Sequence, residues 1–176
     1  SDWRLFRLAY GAGIVAAMHV GKLPPAMGAI REDLGAGLVT AGWIASTISA
    51  TGAALGLVAG GIADRIGPRR VLLLGLAALI AGGLGGVLAQ GAGVMLAARF
   101  AEGLGFTACT VAGGVIVARV MADGDRRRGV ATWASYMPVG FALMLMGAAL
   151  LLPAVGWRGV WAVTAALTTG WAVAVW

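Results

Sequence analysis

His19, Lys22, Arg99 and Glu102 stand deep inside long apolar stretches of this sequence. At such positions an ionisable side chain is costly unless it faces a bundle interior or a wet cavity. Lys22 offers an ammonium to a substrate anion or to the Glu102 carboxylate, while a purely structural lysine there would snorkel to the outer headgroups. Arg99 and Glu102 are three residues apart, a spacing that suits an intrahelical pair as well as a site for a charged solute. His19 shares the face of Lys22, but a lone histidine on a helix is first expected to be a hydrogen-bonded packing residue. Trp43 and Tyr136 add an indole donor and a hydroxyl for a small polar solute. An interfacial aromatic belt competes for Trp43, whereas Tyr136, beside Pro138 within an apolar stretch, is expected to line a cavity. Enzyme chemistry gains nothing from these residues. A single His and a single Cys, Cys109, cannot supply a multi-ligand zinc cluster. Gly103-Leu104-Gly105 lies inside an apolar run rather than after a strand, so no nucleotide-binding turn is implied. No metal and no cofactor are expected.

What must position these residues is a set of membrane helices. Of 176 residues, 60% are apolar and 11% charged, against roughly 45–50% and 25% in soluble domains. That balance excludes a disordered chain and most soluble enzymes. The net charge of +6 has no basic, polar face to carry it, so nucleic acid is not an expected partner. The 30 glycines lie within the apolar runs, as suits helices packed closely in lipid. About 20 apolar residues span the hydrocarbon as a helix. Six stretches qualify: Leu5–Ile30, Leu38–Ala63, Val71–Gln90, Val94–Met121, Val130–Pro153 and Val155–Trp176. None alternates as a barrel strand would, and the first is too long for a cleavable signal peptide. The expected architecture is an all-α membrane protein, a six-transmembrane-helix bundle forming one domain over residues 1–176. At about 1.5 Å per residue, Lys22 then lies roughly 12 Å below the outer end of the first helix, and Glu102 at similar depth in the fourth.

Arg4, Arg7, Arg65, Arg69, Arg70, Arg119, Arg126, Arg127 and Arg128 fall on one side of such a bundle, and Arg31 and Arg158 on the other. Excess Lys/Arg marks the cytoplasmic side, so both termini are expected there, in the plasma membrane of a bacterial-type cell. In the second stretch Gly52, Gly56 and Gly60 form a small-residue ridge suited to close helix contact, with Trp43, Thr47 and Ala50 roughly opposite. The sequence starts at Ser1 and stops at Trp176 within an apolar run, and a fragment, a processed chain or half of a larger machine is the expectation.

The segment Gly60-Gly61-Ile62-Ala63-Asp64-Arg65-Ile66-Gly67-Pro68-Arg69-Arg70 resembles the loop signature of the major facilitator superfamily. Arg99-Phe100-Ala101-Glu102-Gly103-Leu104-Gly105 is similar to that family's Arg-x-x-x-Gly-x-Gly pattern. Leu23-Pro24-Pro25, Tyr136-Met137-Pro138-Val139-Gly140 and Gly156-Trp157-Arg158 look like cyanate-permease-like members. The resemblance implies the amino-terminal six-helix half of a twelve-helix secondary transporter, built from two three-helix repeats and working by alternating access. It implies a lipid bilayer, a small-molecule substrate, a coupling proton or ion, and a second six-helix half as partners. Since helices 1 and 4 line the family's cavity, it adds Lys22, Arg99 and Glu102 to Trp43 and Tyr136 as substrate-binding candidates. Two cations against one carboxylate suggest an anionic substrate. Gly60, Asp64, Arg65, Gly67, Arg69 and Arg70 become a conformational switch that locks and releases the two halves, beside the simpler role of fixing topology. Departures are visible: Pro68 stands where the family carries a basic residue, and the fifth helix lacks the Gly-Pro signature of drug/proton antiporters. A non-transporting assembly subunit and a six-helix channel are the alternatives.

Overall fold

A computed structural model describes residues 1–176, and the chain is helical almost throughout. The order is α1 (Trp3–Gly21), α2 (Leu23–Leu34), α3 (Leu38–Ile66), α4 (Pro68–Val87), α5 (Ala92–Val120), α6 (Asp123–Ala134) and α7 (Tyr136–Val175). Asp2 caps α1, its carboxylate accepting from the Arg4 and Leu5 backbone N–H groups at 3.0 Å. The stretch expected as one helix over Leu5–Ile30 is in fact two. Pro24 and Pro25 lack the N–H groups that would continue the ladder from α1, so the helix breaks at Lys22 and restarts with prolines in its first turn. That break places Lys22 at a helix junction rather than in mid-helix.

The other boundaries follow from local chemistry. Gly67 adopts φ 91°, which only glycine tolerates readily, and Pro68 opens α4 immediately after it. α6 is short and polar, with Asp123 and Asp125 in its first turn favouring the positive end of the helix dipole. It precedes α7, so the expected fifth stretch, Val130–Pro153, begins on one helix and continues on another. Within α7, Gly156 is non-helical at φ 65° and ψ 178°, three residues after Pro153. The Thr164 hydroxyl reaches the Met144 sulfur at 3.9 Å, whereas 20 residues of straight helix would separate them by about 30 Å. The chain therefore folds back at Gly156 into two arms, 136–155 and 157–175. By length and composition, Leu38–Ile66, Pro68–Val87, Ala92–Val120 and the 53-residue run Asp123–Val175 suffice to cross a membrane.

Close packing rests on glycine where α4 crosses α5. A Cβ on Gly82 would lie 2.6 Å from Glu102 Cγ and 2.7 Å from the Ala98 carbonyl oxygen, and one on Gly105 would lie 2.6 Å from the Gly75 carbonyl oxygen. α3 buries a single stripe, Ala41, Ile44, Ile48 and Thr51, against this framework. Along the expected glycine ridge, a Cβ added at Gly56 or Gly60 would meet nothing within 4 Å, and one at Gly52 only Thr107 Oγ1 at 3.5 Å. The close contact expected of that ridge is thus not made inside this chain, because α3 turns its Ile44 and Ile48 face inward instead. Two large apolar cores fill the bundle, beside a smaller cluster of Phe6, Ala9, Val117 and Met121. One gathers Leu23, Ile44, Met95, Met144 and Trp161; the other gathers Ala16, Leu76, Cys109 and Val175. Along α1, α5 and α7 the buried polar residues fall between members of one core and members of the other.

Candidate functional site

Three stretches of chain converge on that polar layer. His19 is near the end of α1, Lys22 at the α1–α2 break, Arg99 and Glu102 one turn apart on α5, and Thr164 and Thr168 one turn apart on the second arm of α7. All six are 0% exposed. The Lys22 ammonium donates to Glu102 Oε1 at 2.5 Å and Arg99 Nη1 to Glu102 Oε2 at 2.5 Å. One carboxylate thus holds both cations, whereas the sequence set a Lys22 partner and an Arg99 partner against each other. His19 Nδ1 lies 3.0 Å from Glu102 Oε1 and 3.2 Å from Lys22 Nζ, and its Nε2 lies 2.9 Å from Thr168 Oγ1. Arg99 Nη1 also donates to the His19 carbonyl at 2.9 Å, and its Nε to the Ile44 carbonyl at 3.3 Å. The Lys22 ammonium stands 4.4 Å from the centre of the Trp161 ring, a cation–π contact that strengthens when water is excluded.

Burying ions is expensive, and the Coulombic return covers the desolvation cost only when geometry is good and remaining polar atoms are matched. Here the matching is incomplete. With a neutral imidazole, Lys22 and Arg99 against Glu102 leave one positive charge in excess. Arg99 Nη2 and Trp161 Nε1 are buried donors without a partner, each an unmet hydrogen bond of the kind native interiors rarely keep. The layer is closed in this conformation, with these two donors left unmatched.

The remaining sequence candidates lie elsewhere. Trp43 is 61% exposed on the outward face of α3. Tyr136, at the start of α7, packs against Trp133 with ring centroids 4.6 Å apart, and no hydrogen bond joins it to the charged layer. The loop signature sits at the α3–α4 turn. Asp64, 73% exposed, pairs with Arg119 of α5 at 3.7 Å. Arg69 Nη2 donates to the Val175 carbonyl at 3.1 Å, tying α4 to the end of α7. Arg65 is exposed, Gly60 is open on α3, and Gly67 supplies the turn. Gly67, Arg69 and Arg70 border a cavity of about 740 Å³ together with Arg4 and Arg119. Asp64 is not part of that wall.

Sequence reasoning missed two participants. His19, expected as a hydrogen-bonded packing residue, is buried and hydrogen-bonded, on the face it shares with Lys22. Thr168 and Trp161 carried no signal, since one-turn spacing within an apolar run looks like ordinary core. A separate link was also missed: Arg158 Nη1 and Trp157 Nε1 both donate to Asp33 Oδ2, at 2.5 and 3.2 Å, while Arg158 Nη2 donates to the Ala89 carbonyl at 2.7 Å. These bonds join the end of α2, the α4–α5 turn and the second arm of α7.

Comparison with known proteins follows the same lines. A family model described as Major Facilitator Superfamily matches residues 9–176. An uncharacterized MFS-type transporter of Mycobacterium tuberculosis is 31% identical over 131 residues, covering 73% of this chain and 22% of the relative. A methylenomycin A resistance protein of Streptomyces coelicolor is 27% identical over 150 residues, covering 84% of this chain and 31% of the relative. The solved structure of the proton:xylose symporter XylE bound to 6-bromo-6-deoxy-D-glucose superposes with a TM-score of 0.81 at 12% identity, over 98% of this chain and 44% of that one. The chain therefore spans less than half the length of each of these proteins.

Proposed function

Because the chain belongs to the Major Facilitator Superfamily, we propose that it is the amino-terminal six-helix half of a secondary active transporter rather than an enzyme. In this reading α1 with α2, α3, α4, α5 and the two arms of α7 make six crossings in two three-helix repeats, forming one domain over residues 1–176. Both termini face the cytoplasm, and the membrane is the plasma membrane. A second six-helix half completes the path, and one half rocks against the other around a central site. The exposed face of α3, with Trp43, Ala50 and Leu57, is proposed to meet that half. The turn bearing Asp64, Arg65, Arg69 and Arg70 makes and breaks its contacts as the cavity changes side.

The observation that carries the reading is the Lys22–Glu102–Arg99 layer, wholly buried yet imperfectly matched. Ionisable groups at membrane depth mark ion and substrate pathways. Its excess positive charge and two idle donors favour a small anion, engaged by Lys22 and Arg99 when the layer opens. Tyr136 adds a hydroxyl from α7. Coupling to a proton or another ion accompanies this movement. A second reading, export of an organic toxin, has the resistance-protein relative in its favour. Neither a channel nor an inert assembly subunit accounts for a buried charge excess combined with the Asp64 turn signature. The test is uptake of small organic and inorganic anions into proteoliposomes carrying the complete transporter, with and without a proton gradient. Saturable, gradient-driven anion flux supports the proposal. Flux that never saturates points to a channel, and no anion flux alongside export of larger organic compounds favours the second reading.

A further inference from the structure

The contacts around His19 favour one tautomer on one side of the ring and conflict on the other. Thr168 Oγ1 donates its only proton to the Thr164 carbonyl at 2.8 Å. With its proton on that carbonyl, Thr168 Oγ1 at 2.9 Å accepts from a protonated His19 Nε2, the tautomer that also lets Nδ1 accept from Lys22. The neutral ring then presents a lone pair at Nδ1, and this accepts from the Lys22 ammonium at 3.2 Å. The same Nδ1 lies 3.0 Å from Glu102 Oε1, another acceptor. Two lone pairs face each other there. That is tolerable only because the ammonium sits beside both, 2.5 Å from the oxygen. Withdraw it, and the Nδ1–Oε1 contact becomes favourable only with a proton on the nitrogen.

We propose that His19 Nδ1 is a proton-binding site that fills when Lys22 leaves Glu102 and empties when Lys22 returns. The proton comes from a hydronium ion of the solvent: one O–H bond breaks, the Nδ1–H bond forms and hydrogen-bonds to Glu102 Oε1, and a water molecule is released. Charge balances in the exchange. With Lys22 seated, Lys22 and Arg99 oppose Glu102; with Lys22 withdrawn, the imidazolium and Arg99 oppose Glu102, and the buried excess is one positive charge either way. The ionised groups facing His19 are Lys22 at the α1–α2 break and Arg99 and Glu102 on α5. α7 contributes the Thr168 hydroxyl, α4 brings up Gly83, where an added Cβ would lie 3.5 Å from His19 Cε1, and α3 supplies the Ile44 carbonyl on Arg99. Where the anion-transport proposal holds, on which this consequence rests, an anion that draws Lys22 away admits one proton with it. Anion and proton then move together without net charge.

His19 is the only histidine in the sequence, so nitrogen-15 NMR of histidine-labelled protein in phosphatidylglycerol/phosphatidylethanolamine nanodiscs reports one imidazole. At neutral pH the unaltered protein should show the neutral Nε2–H tautomer. In Lys22→Gln, which removes the ammonium, the imidazolium fraction should rise roughly tenfold or more. Lys22→Arg should keep the ring neutral, and Lys22→Gln combined with Glu102→Gln should return it to neutral. A neutral ring in Lys22→Gln, with helix content and melting retained, overturns the proposal. If that variant does not fold, Lys22→Met, which preserves the side-chain stem, is judged by the same signals. An Nδ1–H tautomer or an imidazolium in the unaltered protein overturns it independently. An imidazolium in Lys22→Gln with no anion flux in proteoliposomes would keep the proton site and sink the transport proposal. Anion flux with a neutral ring would do the reverse.

Discussion

The Lys22 ammonium and Glu102 Oε1, 80 residues apart in sequence, lie 2.5 Å from each other with neither side chain exposed. The contact exists because Pro24 and Pro25 break the first helix at Lys22, and because Gly82 leaves room on α4 for the Glu102 side chain. Each feature is separately mutable.

Removing the Glu102 charge alone should cost more than removing it together with that of Lys22. Glu102→Gln leaves two buried cations without their partner, a change typically worth about 3–5 kcal/mol, whereas Lys22→Gln leaves Arg99 paired with Glu102. The double variant should recover part of that loss. Thermal melts of the four proteins in one detergent check this, and additive single effects would show that the pair contributes no coupling.

Gly82→Ala should be far more damaging than Gly85→Ala. A Cβ at 82 would press on Glu102 Cγ at 2.6 Å and the Ala98 carbonyl at 2.7 Å, whereas one at 85 meets Ala98 Cβ at 3.5 Å, an ordinary contact. Overpacking of this kind costs about 1–3 kcal/mol. The measurement is the difference in melting temperature between the two variants.

Asp64→Asn should leave the melting temperature unchanged while slowing turnover. The carboxylate and its Arg119 partner are both largely exposed, so the pair adds little stability in this conformation. If the turn is a switch, the charge matters in passing between conformations. Substrate affinity and turnover measured separately in the complete transporter decide it, and normal turnover would leave the turn with only a topological role.

Topology can be read by cysteine labelling once Cys109, which is buried, is replaced by alanine. A cysteine introduced at Gly124, in the exposed first turn of α6, should resist an impermeant maleimide in intact cells and react after permeabilisation. One introduced at Gly37, exposed between α2 and α3, should react from outside. The opposite pattern would invert the proposed orientation.

The sequence alone was sufficient for the all-helical membrane class, because 60% apolar residues in helix-length runs leave no soluble alternative. It also carried the family resemblance, through Asp64 and its flanking glycines. Local chemistry with a one-residue cause was readable as well: Gly67 before Pro68, and the turn near Pro153 and Gly156. The tertiary structure decided what the charged residues do. Spacing along one helix set Arg99 beside Glu102, but nothing in the sequence fixed the rotation of α1 relative to α5, on which the Lys22 contact depends. The break at Lys22 shows the same limit. Two prolines after an apolar run are compatible with a kinked helix or two helices; the structure interrupts the helix at Lys22 and packs Leu23, Ala26 and Ile30 into the core with Trp157 and Trp161. Thr168 was illegible for a further reason. A threonine hydroxyl bonded to its own helix is indistinguishable in sequence from core, and it acquires a role only when the fold at Gly156 brings the second arm of α7 against His19.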